Sequence, residues 1–172
     1  MASAPPLIGI VGWKNSGKTT LIERLVAALT RHGLKVATVK HTHHELRAHD
    51  GSTDGERHAR AGAIQTAVIA PSQWELAGEV QAMPPPPLEE LAQPLGPTDL
   101  VLVEGYKSAA IAKIEVRRRA PTTREGLAPG DERIIAIAAD HVIEGNALPV
   151  FALDDIEGIA AFVLKAAGLQ RT

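Results

Sequence analysis

One octapeptide constrains this chain more than any other feature: Gly12-Trp13-Lys14-Asn15-Ser16-Gly17-Lys18-Thr19. It fits G-x-x-x-x-G-K-[ST], the Walker A pattern, and its flanks fit as well. Leu7–Val11 ahead of it is a short, β-branched apolar run that reads as a buried strand. Residues 18–31 behind it carry Leu21, Ile22, Leu25, Val26 and Leu29 at i, i+3/i+4 spacing, the stripe of an amphipathic helix, and Gly33 stops it. A strand, a glycine-bounded loop and a helix in direct succession make a nest of inward-pointing backbone N–H groups, with the positive end of the helix beneath it. Phosphate is the ligand for such a nest. In this arrangement Lys18 reaches the β- and γ-phosphates and Thr19 offers a hydroxyl to Mg²⁺. Four fixed positions recur by chance in well under about one chain in a hundred of this length, so the pattern is informative by itself.

The rest of the chain reads as the matching fold. Strands are expected at Leu34–Val39, Thr66–Ala70, Leu100–Val103, Ile134–Ala138 and Pro149–Leu153, with a further one at Trp74–Val80. Lys113–Arg117 alternates polar and apolar as an exposed strand does. Helices are expected at 54–61, 88–95 and 154–167, the last stopped by Gly168. Pro84–Pro87 is an extended spacer, because proline lacks the N–H that a helix or sheet needs. Continuous apolar strands alternating with helices indicate a mostly parallel sheet with helices on both faces: a three-layer α/β P-loop NTPase fold. We read residues 1–172 as a single nucleotide-binding domain. Segments 71–87 and 106–130 are candidate dimerisation or loop extensions, with the strand-like 71–80 and 113–117 as interface candidates.

Composition narrows the function by exclusion. There is no cysteine, which removes disulfide frameworks, thiolate metal sites and thiol catalysis. The net charge of −2 gives no electrostatic footprint for nucleic acid. No apolar run reaches the roughly 18 residues that span a bilayer, and the N-terminus has no basic region of a signal peptide, so a cytoplasmic protein is expected.

Several residues are candidates to complete the phosphate site. Glu104 ends an apolar strand and precedes Gly105, where a carboxylate would hold Mg²⁺ through water or orient an attacking water. The usual residue there is Asp, so Glu104 is a departure. Asp140 follows the strand ending at Ala138–Ala139 and would accept from N1–H and the amino group of guanine, or serve as an ordinary turn residue. Lys14 adds a second loop cation or is solvated. Five of the seven histidines, His41, His43, His44, His49 and His58, fall in one polar segment after the second strand. Three readings stand open for it: Lys40 and His41 contacting phosphate or another anion, a transition-metal site from His43, His44, His49 and Asp54, or a polar loop. Asp54 is also placed to approach Mg²⁺. Trp74 reads as packed or in a protein contact, Arg117–Arg118–Arg119 as a solvated face or a contact for an anionic partner, and Lys107 as either reaching the site edge or lying on the surface.

These motifs together resemble a known family. GWKNSGKTTLIERL, VATVKHTHH, RHARAGA and DLVLVEGYK followed by KIEV are similar to the molybdopterin-guanine dinucleotide biosynthesis adapter family, often called MobB, over about residues 7–165. The resemblance implies a GTP-binding P-loop homodimer with, at most, weak Mg²⁺-dependent GTPase activity. It implies a partner, the guanylyltransferase that joins GMP to molybdopterin. By position, Gly12, Trp13, Lys14, Asn15, Ser16, Gly17, Lys18, Thr19 and Thr20 would bind phosphates, and Thr19 and Glu104 would serve Mg²⁺. Lys40, His41 and His44 would line the neighbouring ligand edge. Family members often carry an Asp and then a Pro-Gly-Lys-Asp-Ser run where this chain reads His49-Asp50-Gly51-Ser52-Thr53-Asp54-Gly55; Asp54 matches, His49 and Gly55 do not. Two other readings are a small-molecule kinase, with the arginines of 117–133 as a lid, and a metal-delivery GTPase using His43 and His44.

Overall fold

The computed structural model describes residues 4–41, 54–63, 65–71, 73–78, 87–88, 90, 97–119 and 126–170. The chain divides into two compact units, residues 1–41 with 88–172, and residues 42–87.

The first unit is built on six strands: β1 (Leu7–Val11), β2 (Val36–Lys40), β5 (Leu100–Glu104), β6 (Ala112–Arg117), β7 (Ile134–Ala139) and β8 (Val150–Ala152). β3 (Gln65–Ile69) and β4 (Trp74–Gly78) belong to the second unit. The six lie in the order β2-β5-β1-β6-β7-β8, and every neighbouring pair is parallel. β5 is buried along its whole length, the consequence of a Leu-Val-Leu-Val run with layers on both sides.

Two helices, α1 (Lys18–Arg31) and α3 (Ile156–Ala166), cover one face. Leu21, Leu25 and Leu29 of α1 meet Ile8, Ile10, Leu102 and Ile114 of the sheet and Ile159 and Val163 of α3. Each fully buried leucine there contributes about 1.5–3 kcal/mol. Asp155 caps α3 by accepting from the Gly158 N–H at 3.0 Å. On the other face Leu88, Tyr106, Ala109 and Ile111 pack on Val101 and Val103. The expected 88–95 helix lies mostly outside the described residues.

β6 corrects one reading. Its alternation suggested an exposed strand and an interface segment, but Lys113–Val116 is buried between β1 and β7. Lys113 and Glu115 are tolerated because each has both a charged and a backbone partner. The Lys113 ammonium donates to Asp131 and to the Lys107 carbonyl, both at 2.6 Å. Glu115 accepts from the Leu127 N–H at 2.7 Å, the Ala128 N–H at 2.9 Å and Arg117 at 2.8 Å. These two residues fasten the loop that carries a short 3₁₀ turn, Ala128–Gly130, to the sheet.

The second unit holds α2 (Asp54–Arg60) and an antiparallel pair, β3 (Gln65–Ile69) with β4 (Trp74–Gly78). Val68, Ile69 and Leu76 are exposed on that hairpin. Among the described residues no helix is long and apolar enough to cross a membrane.

Candidate functional site

The parallel sheet places the candidate residues at the carboxyl ends of adjacent strands, where ligands of such folds bind. β1 runs into Gly12, β2 ends at Lys40 with His41 next, β5 ends at Glu104, and β7 is followed by Asp140. The register pairs Ile10 with Glu104 and Lys40 with Glu104, which levels these residues with the start of the phosphate loop.

The loop has the cradle its glycines imply. Gly12 has φ +152, and a Cβ there would come within 2.5 Å of the Val116 carbonyl and 2.6 Å of Ser16 Oγ. Gly17 opens α1 with φ 94 and no side-chain cap, so the first-turn N–H groups keep no side-chain acceptor. Asn15 is left-handed at φ 63, a conformation that asparagine tolerates. The α1 first turn holds no acid to compete with an incoming anion. Ser16 is buried, and its hydroxyl has no hydrogen-bond partner among the described residues. A buried hydroxyl without a partner is costly, and a bound phosphate would supply one.

Lys18 folds back over the loop, donating to the Trp13 carbonyl at 2.7 Å and the Gly12 carbonyl at 3.2 Å. Burial pulls its ammonium below the ordinary lysine value; the Glu104 charge opposes this, and Lys107 and Lys40 add to it. Thr19 Oγ1 donates to Glu104 Oε1 at 2.9 Å, and Lys40 Nζ stands 3.4 Å from the same oxygen. The Lys107 ammonium sits over the Trp13 ring, 4.0 Å from its centroid, so this lysine reaches the loop. Gly105 turns the chain with φ 91, and a Cβ there would meet the His41 carbonyl at 2.9 Å. The His41 N–H donates to the Glu104 carbonyl, and its ring lies 4.8 Å from that of Tyr106. Lys14 and Thr20 are exposed.

Asp140 lines a cavity of about 740 Å³ together with Gly17, Thr20, Arg24 and Phe151. One oxygen, Oδ1, takes the Arg119 N–H and the His141 ring nitrogen, each at 2.9 Å. The His141 contact, with the Arg119 N–H, holds its carboxyl below the usual carboxylate value.

Other candidates stand elsewhere. His43, His44 and His49 lie outside the described residues, as does the Trp74 side chain. Asp54 begins α2 in the second unit and pairs with Arg57 at 3.4 Å. Among the described residues no three His, Asp or Glu side chains gather as a metal would require.

The arginine triplet is not a uniform solvated face. Arg117 turns inward to Glu115, Arg119 uses its backbone N–H on Asp140, and Arg118 lies against Gly17. The signal was strand alternation: consecutive residues at a strand end point to opposite faces.

Comparison with known proteins finds relatives along nearly the whole chain. The sequence model of a family described as MobB, molybdopterin guanine dinucleotide synthesis protein B, matches residues 7–140. The molybdopterin-guanine dinucleotide biosynthesis adapter protein of Escherichia coli K12 is 35% identical over 162 residues, 93% of this chain and 92% of that protein. Its Haemophilus influenzae counterpart is 36% identical over 141 residues, 81% and 77% of the two chains. Among solved structures, a MobB homologue from Bacillus stearothermophilus matches with a TM-score of 0.69 at 32% identity, covering 95% of this chain and 99% of that one. Bacillus subtilis MobB matches at 0.70 and 30%, covering 94% and 98%. A family model that spans residues 7–140, with a fold and a sequence shared along nearly the whole chain, places it: this protein belongs to the MobB family.

Proposed function

We propose that this protein binds GTP with Mg²⁺ in the loop Gly12–Thr20 and acts in the cytoplasm as an adapter for the guanylyltransferase that attaches GMP to molybdopterin. The observation that carries the nucleotide reading is the Thr19–Glu104 contact beside an open phosphate cradle. On this reading Lys18 exchanges its two carbonyl acceptors for the β- and γ-phosphates, and the Ser16 hydroxyl gains the partner it lacks. The donor set fits magnesium, a hard cation that takes oxygen ligands and keeps several waters. Thr19 and Glu104 would hold it. With magnesium held by these two residues, the site would supply positive charge against the terminal phosphates.

Lys40 and His41 border the γ-phosphate side, and Gly105 turns the chain where His41 lies beside Glu104. Asp140 faces the base cavity, where its Oδ2 would accept from guanine and leave Oδ1 to Arg119 and His141. Hydrolysis on this reading is slow. Glu104 Oε1 already serves Thr19 and Lys40, which suits holding a metal better than deprotonating water. A slow GTPase suits an adapter that delivers or senses nucleotide. We further propose a homodimer, supported by exposed Val68, Ile69 and Leu76 on the β3–β4 hairpin. The candidate segments 71–87 and 106–130 for this contact lie partly outside the described residues.

The test is calorimetric titration of GTP and ATP with magnesium, using Lys18→Ala and Asp140→Asn. GTP is expected to bind at least about tenfold more tightly than ATP, and each variant to lose its own share: Lys18→Ala most of the affinity, Asp140→Asn the base preference. ATP binding tenfold tighter than GTP would overturn the guanylation reading.

A further inference from the structure

Arg118 immediately follows β6, and its side chain reaches the phosphate loop. A Cβ placed on Gly17 would come within 3.0 Å of Arg118 Nε and 3.1 Å of Nη2. The guanidinium therefore rests on the backbone where α1 begins. Its neighbours are committed elsewhere: Arg117 to Glu115 and the Arg119 backbone to Asp140. Among the described residues the Arg118 guanidinium has no hydrogen-bond or ion-pair partner. Arg118 lines the cavity of about 740 Å³ that also holds Gly17, Thr20 and Asp140. It also lines a smaller one, about 190 Å³, beside Trp13.

Two independent features point to an anion at this place. One is the uncapped N-terminus of α1, with no acid in its first turn. The other is Ser16 Oγ, buried within the same loop without a partner. An arginine held at such a site presents a rigid fork of N–H donors that matches phosphate oxygens two at a time.

We propose that Arg118 is a phosphate-binding residue, clamping the nucleotide against the loop amides from the side of the base cavity, at the α-phosphate end of the triphosphate. This rests on the reading that the loop holds a nucleoside triphosphate, and it adds a cation that the Walker A pattern does not contain. Lys18 serves the terminal phosphates, and Arg118 serves the end nearest the base. The two cations therefore differ in what they detect. Lys18 responds to the number of phosphates, whereas Arg118 grips GTP and GDP alike.

The experiment titrates GTP and GDP, each with magnesium, into the full chain and into Arg118→Ala, Arg118→Gln, Arg118→Lys and Lys18→Ala, with thermal melting of each variant. Loss of a charge-assisted contact corresponds to about tenfold to a hundredfold weaker binding, so Arg118→Ala and Arg118→Gln are expected to weaken GTP and GDP by that factor equally. Arg118→Lys is expected to recover part of the loss, and melting to stay at the parent value. Should Arg118→Ala melt early, Arg118→Gln carries the test with a polar side chain of similar reach. Binding within twofold of the parent in the folded variants overturns the proposal, as does a loss confined to GTP, which would move the guanidinium to the γ-phosphate. If the parent chain binds neither nucleotide, the nucleotide reading itself falls; if it binds both and Arg118 is indifferent, this inference falls alone.

Discussion

Glu115 is a carboxylate with no exposed surface in the middle of a sheet, so Glu115→Gln should be far more damaging than a neutral isostere suggests. Its oxygens divide three donors. Oε1 takes the Leu127 N–H at 2.7 Å; Oε2 takes the Ala128 N–H at 2.9 Å and Arg117 Nη2 at 2.8 Å. An amide has one accepting oxygen. In its better orientation Gln keeps the two contacts at the Oε2 position and turns its NH₂ group toward the Leu127 N–H. That opposition of two donors leaves a buried N–H unsatisfied, which costs about 1–3 kcal/mol. The Ala128 N–H bond changes from charge-assisted to neutral, and the Arg117 guanidinium loses its anionic partner, about 1 kcal/mol each. The total, about 3–5 kcal/mol, agrees with the usual cost of removing one partner from a buried ion pair. Denaturant titration followed by circular dichroism measures it, as a lower midpoint with an unchanged slope. The double variant Glu115→Leu with Arg117→Leu should not recover the loss, because the Leu127 and Ala128 N–H groups stay without acceptors. A loss below about 1 kcal/mol for Glu115→Gln, or full recovery in the double variant, would refute this account of why a charge lies in the sheet.

Two further predictions follow from the same geometry. The Asp131 carboxyl is held below the ordinary value of 3.8, first by its hydrogen bond from Lys113. A lowered acid stabilises the fold above its unfolded-state value and loses that contribution as pH falls through the folded one. Stability should therefore drop as pH falls below 3.8, and Asp131→Asn should flatten that part of a denaturation-versus-pH curve. A profile as steep in the variant as in the parent would count against it. Gly12→Ala would place a Cβ within 2.5 Å of the Val116 carbonyl at φ +152. It should lower stability by about 1–3 kcal/mol and abolish GTP binding in calorimetry; retained affinity would mean that the loop accommodates phosphate in another backbone shape.

What could be read from the residues alone depended on where each side chain finds its partners. The phosphate loop was legible because its partners are its own backbone and the helix that follows, all within one turn of sequence. Glu104 was legible because a parallel strand ending level with β1 must deliver its next polar residue to the same edge, and the Ile10–Glu104 register does so. β6 was misread for the opposite reason. Alternating polar residues mean an exposed face only when no other segment supplies partners, and here they come from 12 to 18 residues downstream, at Leu127, Ala128 and Asp131. No local period encodes that. The arginine triplet was legible only in part. Strand alternation sends Arg117 into the interior and leaves Arg118 free to lie on Gly17, while Arg119 acts through an N–H that every residue but proline possesses. Composition sees three equal charges; the end of a parallel strand makes them an ion pair, a ligand-facing cation and a backbone donor. The same strand end explains why the site is completed from β6 and β7 as well as from the Walker A loop. A phosphate seated at α1 is bordered by β5 on one side of β1 and by β6 on the other. Its charge must be answered from both flanks, with Lys40 beside Glu104 on the first and Arg118 on the second.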